Sequence, residues 1–158
     1  MTRDDFAARV TAAQGRLCRV ARGYLRQEAD CLDAISEAIA RAWHKLPTLR
    51  QEQYFDTWLI RILIRECIAI QRRQARVIPM DTLPDMPAPE SPADTPLALR
   101  EALSRLPEKL RVVLALYYME GFNVAEISRI LRISTGAVCS RLSRGRDQMR
   151  AMLKEEIE

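Results

Sequence analysis

Histidine and paired cysteines are scarce in this sequence. His44 is the only histidine, and the four cysteines (Cys18, Cys31, Cys67 and Cys139) are scattered without a CxxC pair. Zinc sites built from ligands close together in sequence need such pairs, so we expect no metal site. We expect the four cysteines to be small thiols that are buried or partly exposed in the fold.

Long apolar runs are also absent. No run approaches the ~20 residues that a membrane-spanning helix needs, and the N-terminal "MTRDDFAARV" lacks the basic segment and apolar core of a secretory signal. We therefore expect no membrane insertion and a cytoplasmic location, where thiols stay reduced. With 48% hydrophobic and 29% charged residues among 158, the composition is that of a globular protein.

Proline is concentrated in one segment. Residues 77–96, "VIPMDTLPDMPAPESPADTP", hold six of the eight prolines, four acidic residues and no basic residue. Proline removes backbone hydrogen-bond donors, and this composition offers little apolar surface to bury, so we predict a flexible linker. The linker divides the chain into residues 1–76 and 97–158.

Residues 1–76 have the periodicity of three helices. In the first, apolar residues recur at three- and four-residue steps from Phe6 to Tyr24. The second is predicted to begin near Asp30 and to end at Pro47. Its predicted buried stripe consists of Leu32, Ile35, Ile39, Ala42 and Leu46.

The third helix follows "QEQYFDTW". Asp56 or Thr57 is the predicted N-cap, because short polar side chains accept hydrogen bonds from the first turn. The segment "LIRILI" is apolar on most sides and is predicted to be the buried centre of this half. Phe55 and Trp58 are predicted to belong to the same core.

Residues 97–158 have the pattern of four helices. The first covers Leu97 to Leu106, and Pro107 is predicted in the first turn of the second, which ends at Gly121. Strand signals are missing throughout. We therefore predict an all-α fold of two small helical domains joined by the proline-rich linker.

Two short helices with a tight turn between them close the chain. Asn123 and Glu126 have the spacing of a capping box that opens the first, and Ser134 or Thr135 is the predicted cap of the second. The second helix is basic. Five basic residues meet a single acidic one, Asp147, before the terminal "EEIE": Arg141, Arg144, Arg146, Arg150 and Lys154. This is the arrangement of a helix-turn-helix, here of the winged-helix-like type.

The last helix has two distinct faces. One face is predicted to pack on Ile127, Ile130 and Leu131, and it consists of Val138, Leu142, Gly145 and Met149. The opposite face carries Ser140, Ser143, Arg144 and Asp147, flanked by Cys139 and Arg141. Small hydroxyl residues permit close approach to the major groove, and arginines reach phosphates or guanine edges. The pattern favours DNA binding over a helical hairpin with a solvated basic face.

The segment "LPEKLRVVLALYYMEGFNVAEISRILRISTGAVCSRLSRGRDQMR" resembles the C-terminal promoter-binding domain of bacterial extracytoplasmic-function sigma factors. The shared features include Leu106-Pro107, the Tyr-Tyr-x-Glu-Gly of residues 117–121, Glu126-Ile127, and Ser140-Arg141. The N-terminal half resembles the same family independently. "DAISEAIARAW", residues 33–43, is similar to its polymerase-binding helix, and "FDTWLIRILIRECIAIQRRQAR" to the helix that reads the downstream promoter box.

The resemblance implies a subunit that binds bacterial core RNA polymerase, directs it to promoter DNA and helps to melt the downstream box. It also implies an anti-sigma factor as a partner and a monomer when unbound. The alternative is a polymerase-independent repressor or activator that dimerises through residues 1–76. An enzyme ranks last, and we expect no cofactor, because the sequence has one histidine and no glycine-rich phosphate loop.

The resemblance also implies three sets of site residues. The polymerase-binding set is Asp33, Ser36, Glu37 and Arg41, for which the residues alone allow an ordinary solvated face. The downstream-box set is Tyr54, Arg61, Arg65, Ala69, Arg72 and Arg73. The upstream-box set is Arg132, Thr135, Cys139, Ser140, Arg141, Ser143 and Arg144.

Several of these positions depart from the family pattern. Ser36 stands where the family commonly has Gln, and Arg65 and Ala69 stand where it commonly has Asn and Asp. Cys139 replaces a usual basic residue, and Arg132 stands where the turn often has Gly. The promoter sequence therefore does not follow from the resemblance.

Overall fold

A computed structural model of the chain describes residues 1–77 and 97–157. The regular elements in these two ranges are helices and helical turns, with no β-strand, which confirms the all-α prediction. The chain divides into two compact units, Met1–Pro87 and Ala88–Glu158. Val77 is the last residue of a helix, and the rest of the predicted linker, residues 78–96, lies outside the described residues.

The first unit contains the three predicted helices. They are α1 (Arg3–Tyr24), α2 (Glu28–Lys45) and α3 (Phe55–Val77), with short 3-10 turns at Leu46–Thr48 and Glu52–Tyr54 between α2 and α3. α3 packs against both α1 and α2. The apolar residues of "LIRILI" are all buried, so the prediction of a buried centre is confirmed. Phe55 is only 1% exposed, whereas Trp58 is half-buried.

The predicted stripe of α2 is only partly confirmed, because Ile35 and Ala42 are buried but Ile39 and Leu46 are half-buried. Leu32 is 54% exposed, while the buried residues of α2 are Cys31, Ala34, Ile35, Ala38 and Ala42. Small side chains on the inner face let α1 and α3 approach α2 closely, and this requirement outweighs the greater hydrophobicity of leucine. The inner face is therefore rotated by about one residue from the face that hydrophobicity indicates.

The predicted N-cap of α3 is also wrong. α3 begins at Phe55, because the 3-10 turn Glu52–Tyr54 runs directly into it, with the Phe55 N–H donating to the Glu52 carbonyl. Asp56 and Thr57 lie inside the first turn. The Thr57 hydroxyl donates backward to the Tyr54 carbonyl at 3.0 Å, and the Asp56 carboxylate pairs with Arg16 on α1 at 3.6 Å.

The second unit contains the four predicted helices. They are α4 (Leu97–Arg105), α5 (Glu108–Leu114), α6 (Val124–Leu131) and α7 (Thr135–Ile157), and a π-helical turn, Ala115–Met119, extends α5. Pro107 is the N-cap of α5 and precedes the first turn in which it was predicted. Gly121 has a φ of 74°, the left-handed conformation that ends this segment. α7 packs against α4, α5 and α6.

The cysteines of the chain are free thiols. Cys31 and Cys67 are buried, Cys18 is half-buried and Cys139 is exposed. Burial raises the pKa of the Cys31 thiol, which donates to the Leu25 carbonyl at 3.5 Å. Over residues 1–77 and 97–157, no cluster of three or more potential ligands could hold a metal ion. In the same ranges, no helix has the length and apolar character to cross a membrane.

Candidate functional site

Side-chain caps define the start of both closing helices. The Glu126 N–H donates to Asn123 Oδ1 at 2.8 Å, and the Asn123 N–H donates to Glu126 Oε1 at 3.1 Å. This reciprocal pair confirms the capping box of α6. At α7, the Ala137 N–H donates to Ser134 Oγ at 3.0 Å, so Ser134 is the cap and Thr135 is the first helical residue.

The turn between α6 and α7 depends on a left-handed residue. Arg132 has φ 57° and ψ 46°, and its N–H donates to the Ser128 carbonyl. The Ser128 hydroxyl in turn donates to the Ile133 carbonyl at 2.6 Å. A non-glycine residue is strained by about 1 kcal/mol in this region. The sequence thus places a charged residue at the position in the turn where glycine would be easier to accommodate.

The inner face of α7 is largely as predicted. Val138, Leu142 and Met149 are buried, together with Ile127 and Ile130 on α6. Leu131, by contrast, is only partly buried.

Gly145 lies on the same inner face but faces α5. A Cβ atom at this position would lie 2.8 Å from Leu114 Cδ1, so glycine allows α5 and α7 to approach closely. The prediction that Gly145 packs on α6 is therefore wrong.

The outer face of α7 brings together the predicted upstream-box residues. Ser140 and Arg141 are half-buried, and the exposed members of the set are Arg132, Thr135, Cys139, Ser143 and Arg144. A guanidinium nitrogen of Arg144 donates to Ser140 Oγ at 3.1 Å, which orients Arg144 along the helix. All seven residues lie in the turn or in the first three turns of α7.

Arg146 belongs to a different surface from Arg144. Its guanidinium donates to the Tyr118 hydroxyl at 2.9 Å, and this hydrogen bond raises the pKa of Arg146. Tyr118 and Arg146 border an apolar groove of about 340 Å³ that is also lined by Leu99, Leu103 and Leu153. Sequence reasoning missed this groove, because its residues come from α4, the π-helical turn and α7.

A second groove runs between α2 and α3 in the first unit. Its α2 wall contains the predicted polymerase-binding set, Asp33, Ser36, Glu37 and Arg41. Its α3 wall contains Glu66, Ala69 and Arg73, two of which belong to the predicted downstream-box set. The structure therefore brings residues of two predicted sites to one groove.

An ion-pair network spans this groove. Arg41 Nε lies 2.7 Å from Glu66 Oε1 and 3.3 Å from Glu37 Oε1. The Glu66 side chain is 13% exposed, whereas those of Arg41 and Glu37 are about half exposed, at 51% and 55%. Sequence reasoning assigned no role to Glu66. Glu66 is the one carboxylate between Arg61 and Arg76 on α3, and this position among arginines was the signal that could have identified it.

The predicted downstream-box residues lie along α3 and just before it. Arg65, Ala69, Arg72 and Arg73 are exposed, while Arg61 is half-buried. Their spacing places most of them on one side of the helix. The structure thus aligns a basic strip over about three turns of α3.

Tyr54 is held at the start of this strip. It is 44% exposed, and its N–H donates to the Gln51 carbonyl at 3.1 Å. Arg9 on α1 donates to the Glu52 carbonyl at 2.8 Å and lies over the Phe55 ring, 5.6 Å from its centroid. These contacts fix the backbone on both sides of Tyr54. Sequence reasoning missed Arg9, which lies 43 residues before Glu52.

Comparisons with known proteins follow the division into two units. Residues 10–77 match the Sigma-70 region 2 family, and residues 97–149 match the Sigma-70, region 4 family. The ECF RNA polymerase sigma factor SigM of Mycobacterium tuberculosis H37Rv is 31% identical over 87% of this chain and 71% of the relative. The chain belongs to the extracytoplasmic-function family of RNA polymerase sigma factors.

Two further relatives of this ECF sigma factor cover most of its length. The RNA polymerase sigma-E factor of Streptomyces coelicolor is 31% identical over 97% of this chain and 86% of the relative. RNA polymerase sigma factor SigV of Bacillus subtilis is 29% identical over 87% of this chain and 84% of the relative.

A solved structure supports the fold. The sigma factor RpoE of Bartonella quintana, in complex with the anti-sigma factor NepR, superposes with a TM-score of 0.83 at 22% identity. The match covers 95% of this chain and 97% of RpoE.

The function follows from family membership. This ECF sigma factor binds core RNA polymerase, directs it to specific promoters and takes part in transcription initiation. Nothing in the comparisons favours the alternative of a polymerase-independent regulator.

Proposed function

We propose that three surfaces divide the work of this sigma factor. The exposed face of α2 binds core RNA polymerase, the strip on α3 with Tyr54 binds the downstream promoter box, and the outer face of α7 binds the upstream box. The observation that carries this proposal is the outer face of α7. Each of its seven predicted residues is at least partly exposed, while the inner face of the same helix is in the core.

The upstream-box assignment rests on the chemistry of that face. Ser140 and Ser143 are small enough to let the helix enter the major groove, where Arg144 can donate to guanine or to phosphate. Because Arg144 is already bonded to Ser140, it loses less side-chain freedom on binding. Cys139, just before Ser140, stands where the family usually has a basic residue. We therefore propose that the base preference at this position is specific to this chain.

The downstream-box assignment rests on charge and on one exposed ring. Arg65, Arg72 and Arg73 offer a row of cations to a phosphate backbone. Tyr54 presents an aromatic face that can stack on an unpaired base, and its segment is fixed by Arg9. A partly exposed aromatic residue on a fixed backbone segment beside a basic strip suits the capture of a melted strand.

The polymerase assignment rests on α2. Asp33, Ser36 and Glu37 are exposed on one side of the helix, and Arg41 follows one turn later. Two carboxylates at this spacing form an acidic surface that suits a basic partner surface. The chemistry of RNA synthesis stays with the polymerase, and we infer that this sigma factor catalyses no reaction itself and acts in the cytoplasm.

We also propose that an anti-sigma factor holds this chain in its inactive state. The solved relatives point that way, since RpoE was captured with the anti-sigma factor NepR and CnrH with the cytosolic domain of CnrY. When neither polymerase nor inhibitor is bound, we expect a monomer.

The first test is binding to bacterial core RNA polymerase, followed by transcription from the promoter ahead of the gene for this chain. We expect a complex with core polymerase and initiation at a defined start site, neither of which requires the chain to dimerise. A dimer that protects a palindromic duplex by itself and ignores core polymerase would overturn the proposal. Transcription with the Arg144→Ala variant then tests the carrying observation, because the variant should use the promoter more weakly and keep polymerase binding.

A further inference from the structure

The network of Glu37, Arg41 and Glu66 shows which groups already hold the guanidinium of Arg41. The shortest contact of Arg41 crosses the groove to Glu66 on α3, at 2.7 Å, and a longer one reaches Glu37 on its own helix, at 3.3 Å. A guanidinium with two carboxylates on it is already paired within the unit. Both contacts are made by Nε, so Arg41 is anchored to α3 and to Glu37 before any partner arrives.

The burial of Glu66 makes this pairing hard to break. The Glu66 side chain is only 13% exposed, so little water can reach its carboxylate to replace Arg41 as a partner. A polymerase group that drew Arg41 away would leave Glu66 unpaired in the groove. Asp33 and Glu37 face no such constraint, because both are exposed.

We propose that Arg41 is a positioning residue, held by Glu66, which joins α2 to α3 and fixes Glu37 for polymerase. In this arrangement the surface that meets polymerase is acidic, formed by Asp33 and Glu37, and its partner is a basic surface. Arg41 itself makes no polymerase contact. The inference rests on the proposed role of α2 in polymerase binding.

A charge swap distinguishes positioning from direct contact. Core polymerase binding is measured for the wild type, Arg41→Glu, Glu66→Arg and the double variant that carries both. If Arg41 acts through Glu66, each single variant should bind about 10-fold more weakly, and the double variant should recover to within about 3-fold of wild type. A double variant as weak as Arg41→Glu would show that polymerase contacts Arg41 directly and would overturn the proposal.

A neutral pair guards against misfolding of the charge-reversed variants. Arg41→Gln with Glu66→Gln removes both charges without leaving an unpaired one in the groove. We expect this pair to bind more weakly than the wild type and more tightly than Arg41→Glu, because Glu37 loses the cation that fixes it but Glu66 is not left as an unpaired charge. A folded neutral pair that binds no better than Arg41→Glu would also overturn the proposal. Arg26→Glu is the matched control, because Arg26 is exposed between α1 and α2, outside the proposed sites.

Binding measurements on the wild type and these variants distinguish failure of this inference from failure of the proposed function. Wild-type chain that does not bind core polymerase would reject the role of α2, and the positioning role would fall with it. Wild-type binding with an unrescued swap would reject the positioning role alone. Arg41→Glu binding at the wild-type level would reject it as well, because a residue that positions Glu37 must affect its partner.

Discussion

The two units build their proposed binding surfaces in different ways. In the first unit, the surfaces depend on side chains that reach between helices, such as Arg41 to Glu66 across the groove and Arg9 to the Glu52 carbonyl. In the second, the outer face of α7 belongs to one helix. The contacts that fix it are local, from the Ser134 cap to the bond between Arg144 and Ser140.

This difference has a consequence for substitutions. In the first unit, a change at Glu37 or Arg41 also disturbs the ion-pair network between α2 and α3, so binding and stability should change together. In the second, the outer face of α7 is separated from the core by the helix itself. Substitutions there should change DNA binding and leave the stability of the unit nearly unchanged.

The largest effect is expected at the acidic surface of α2. Replacing both Asp33 and Glu37 with Lys should weaken core polymerase binding by at least about 100-fold, because like charges then face each other across the interface. Binding is measured by titration of labelled core polymerase. Glu101→Lys with Glu155→Lys makes the same charge change in the second unit and should have little effect.

Intact binding by the Asp33 and Glu37 variant would remove α2 from the interface. The variant also tests the expected coupling of function to stability. Glu37 is one partner of Arg41, so the variant should be measurably less stable than the control. Both tryptophans, Trp43 and Trp58, lie in the first unit, so their fluorescence follows its unfolding selectively.

A smaller effect is expected on the outer face of α7. Arg144→Ala should weaken use of the upstream box by about 1 to 3 kcal/mol if Arg144 reads a base. Promoter use is measured by transcription with wild-type and altered upstream boxes. Arg150→Ala, on the same helix two turns later, is the control and should act only through its charge.

The readout for Arg144 also tests the comparison between units. Its substitution should leave the unfolding transition and polymerase binding unchanged. Equal loss on every upstream sequence would mean that Arg144 contacts phosphate and reads no base. A shift in stability would contradict the view that this face is independent of the core.

The elements that sequence predicted best are those set by local signals. The capping box of Asn123 and Glu126 and the Ser134 cap depend on residues three positions apart, and the structure contains both. The prediction of a buried centre in α3 was equally reliable, because a helical segment that is apolar on most sides has little polar surface to expose to solvent. These signals fixed the number of helices and the helix-turn-helix.

Features that depend on distant residues were missed. Arg41 meets Glu66, Arg9 meets Glu52, and Gly145 meets Leu114 across sequence gaps that periodicity does not connect. The prediction that Leu32 is buried was wrong for a related reason. The close approach of α1 and α3 favours small residues on the inner face of α2. The grooves were therefore invisible in the sequence, although most of the residues around the α2 and α3 groove had been identified.

The inner face of α7 should show the opposite behaviour to the outer face. Gly145→Ala would place a methyl group 2.8 Å from Leu114 Cδ1, so the buried Leu114 side chain would have to shift from its packed position. We expect the free energy of unfolding to fall by about 1 to 2 kcal/mol, although alanine alone favours a helix. Circular dichroism should detect this loss, while tryptophan fluorescence, which reports the first unit, should not change.

Gly136→Ala is the matched control for this change. Gly136 lies in the exposed first turn of α7, where the atom nearest to an added Cβ would be Ser134 Oγ at 3.9 Å. Because nothing clashes, the substitution should be neutral or stabilising by up to about 1 kcal/mol. Equal destabilisation by both substitutions would mean that the contact with Leu114 is not what requires glycine at position 145.

The smallest effect is expected at the turn, where stability and binding should change in opposite directions. The backbone of Arg132 is in the left-handed conformation, which glycine adopts without strain. Arg132→Gly should therefore stabilise the second unit by about 0.5 to 1 kcal/mol. Arg129→Gly makes the same change three residues earlier, in the regular part of α6, and should destabilise by about 1 kcal/mol. If Arg132 contacts a phosphate, Arg132→Gly should also reduce the salt dependence of promoter binding by about one counterion. If Arg132→Gly is more stable but the salt dependence of promoter binding is unchanged, the strained Arg132 has no role in DNA binding.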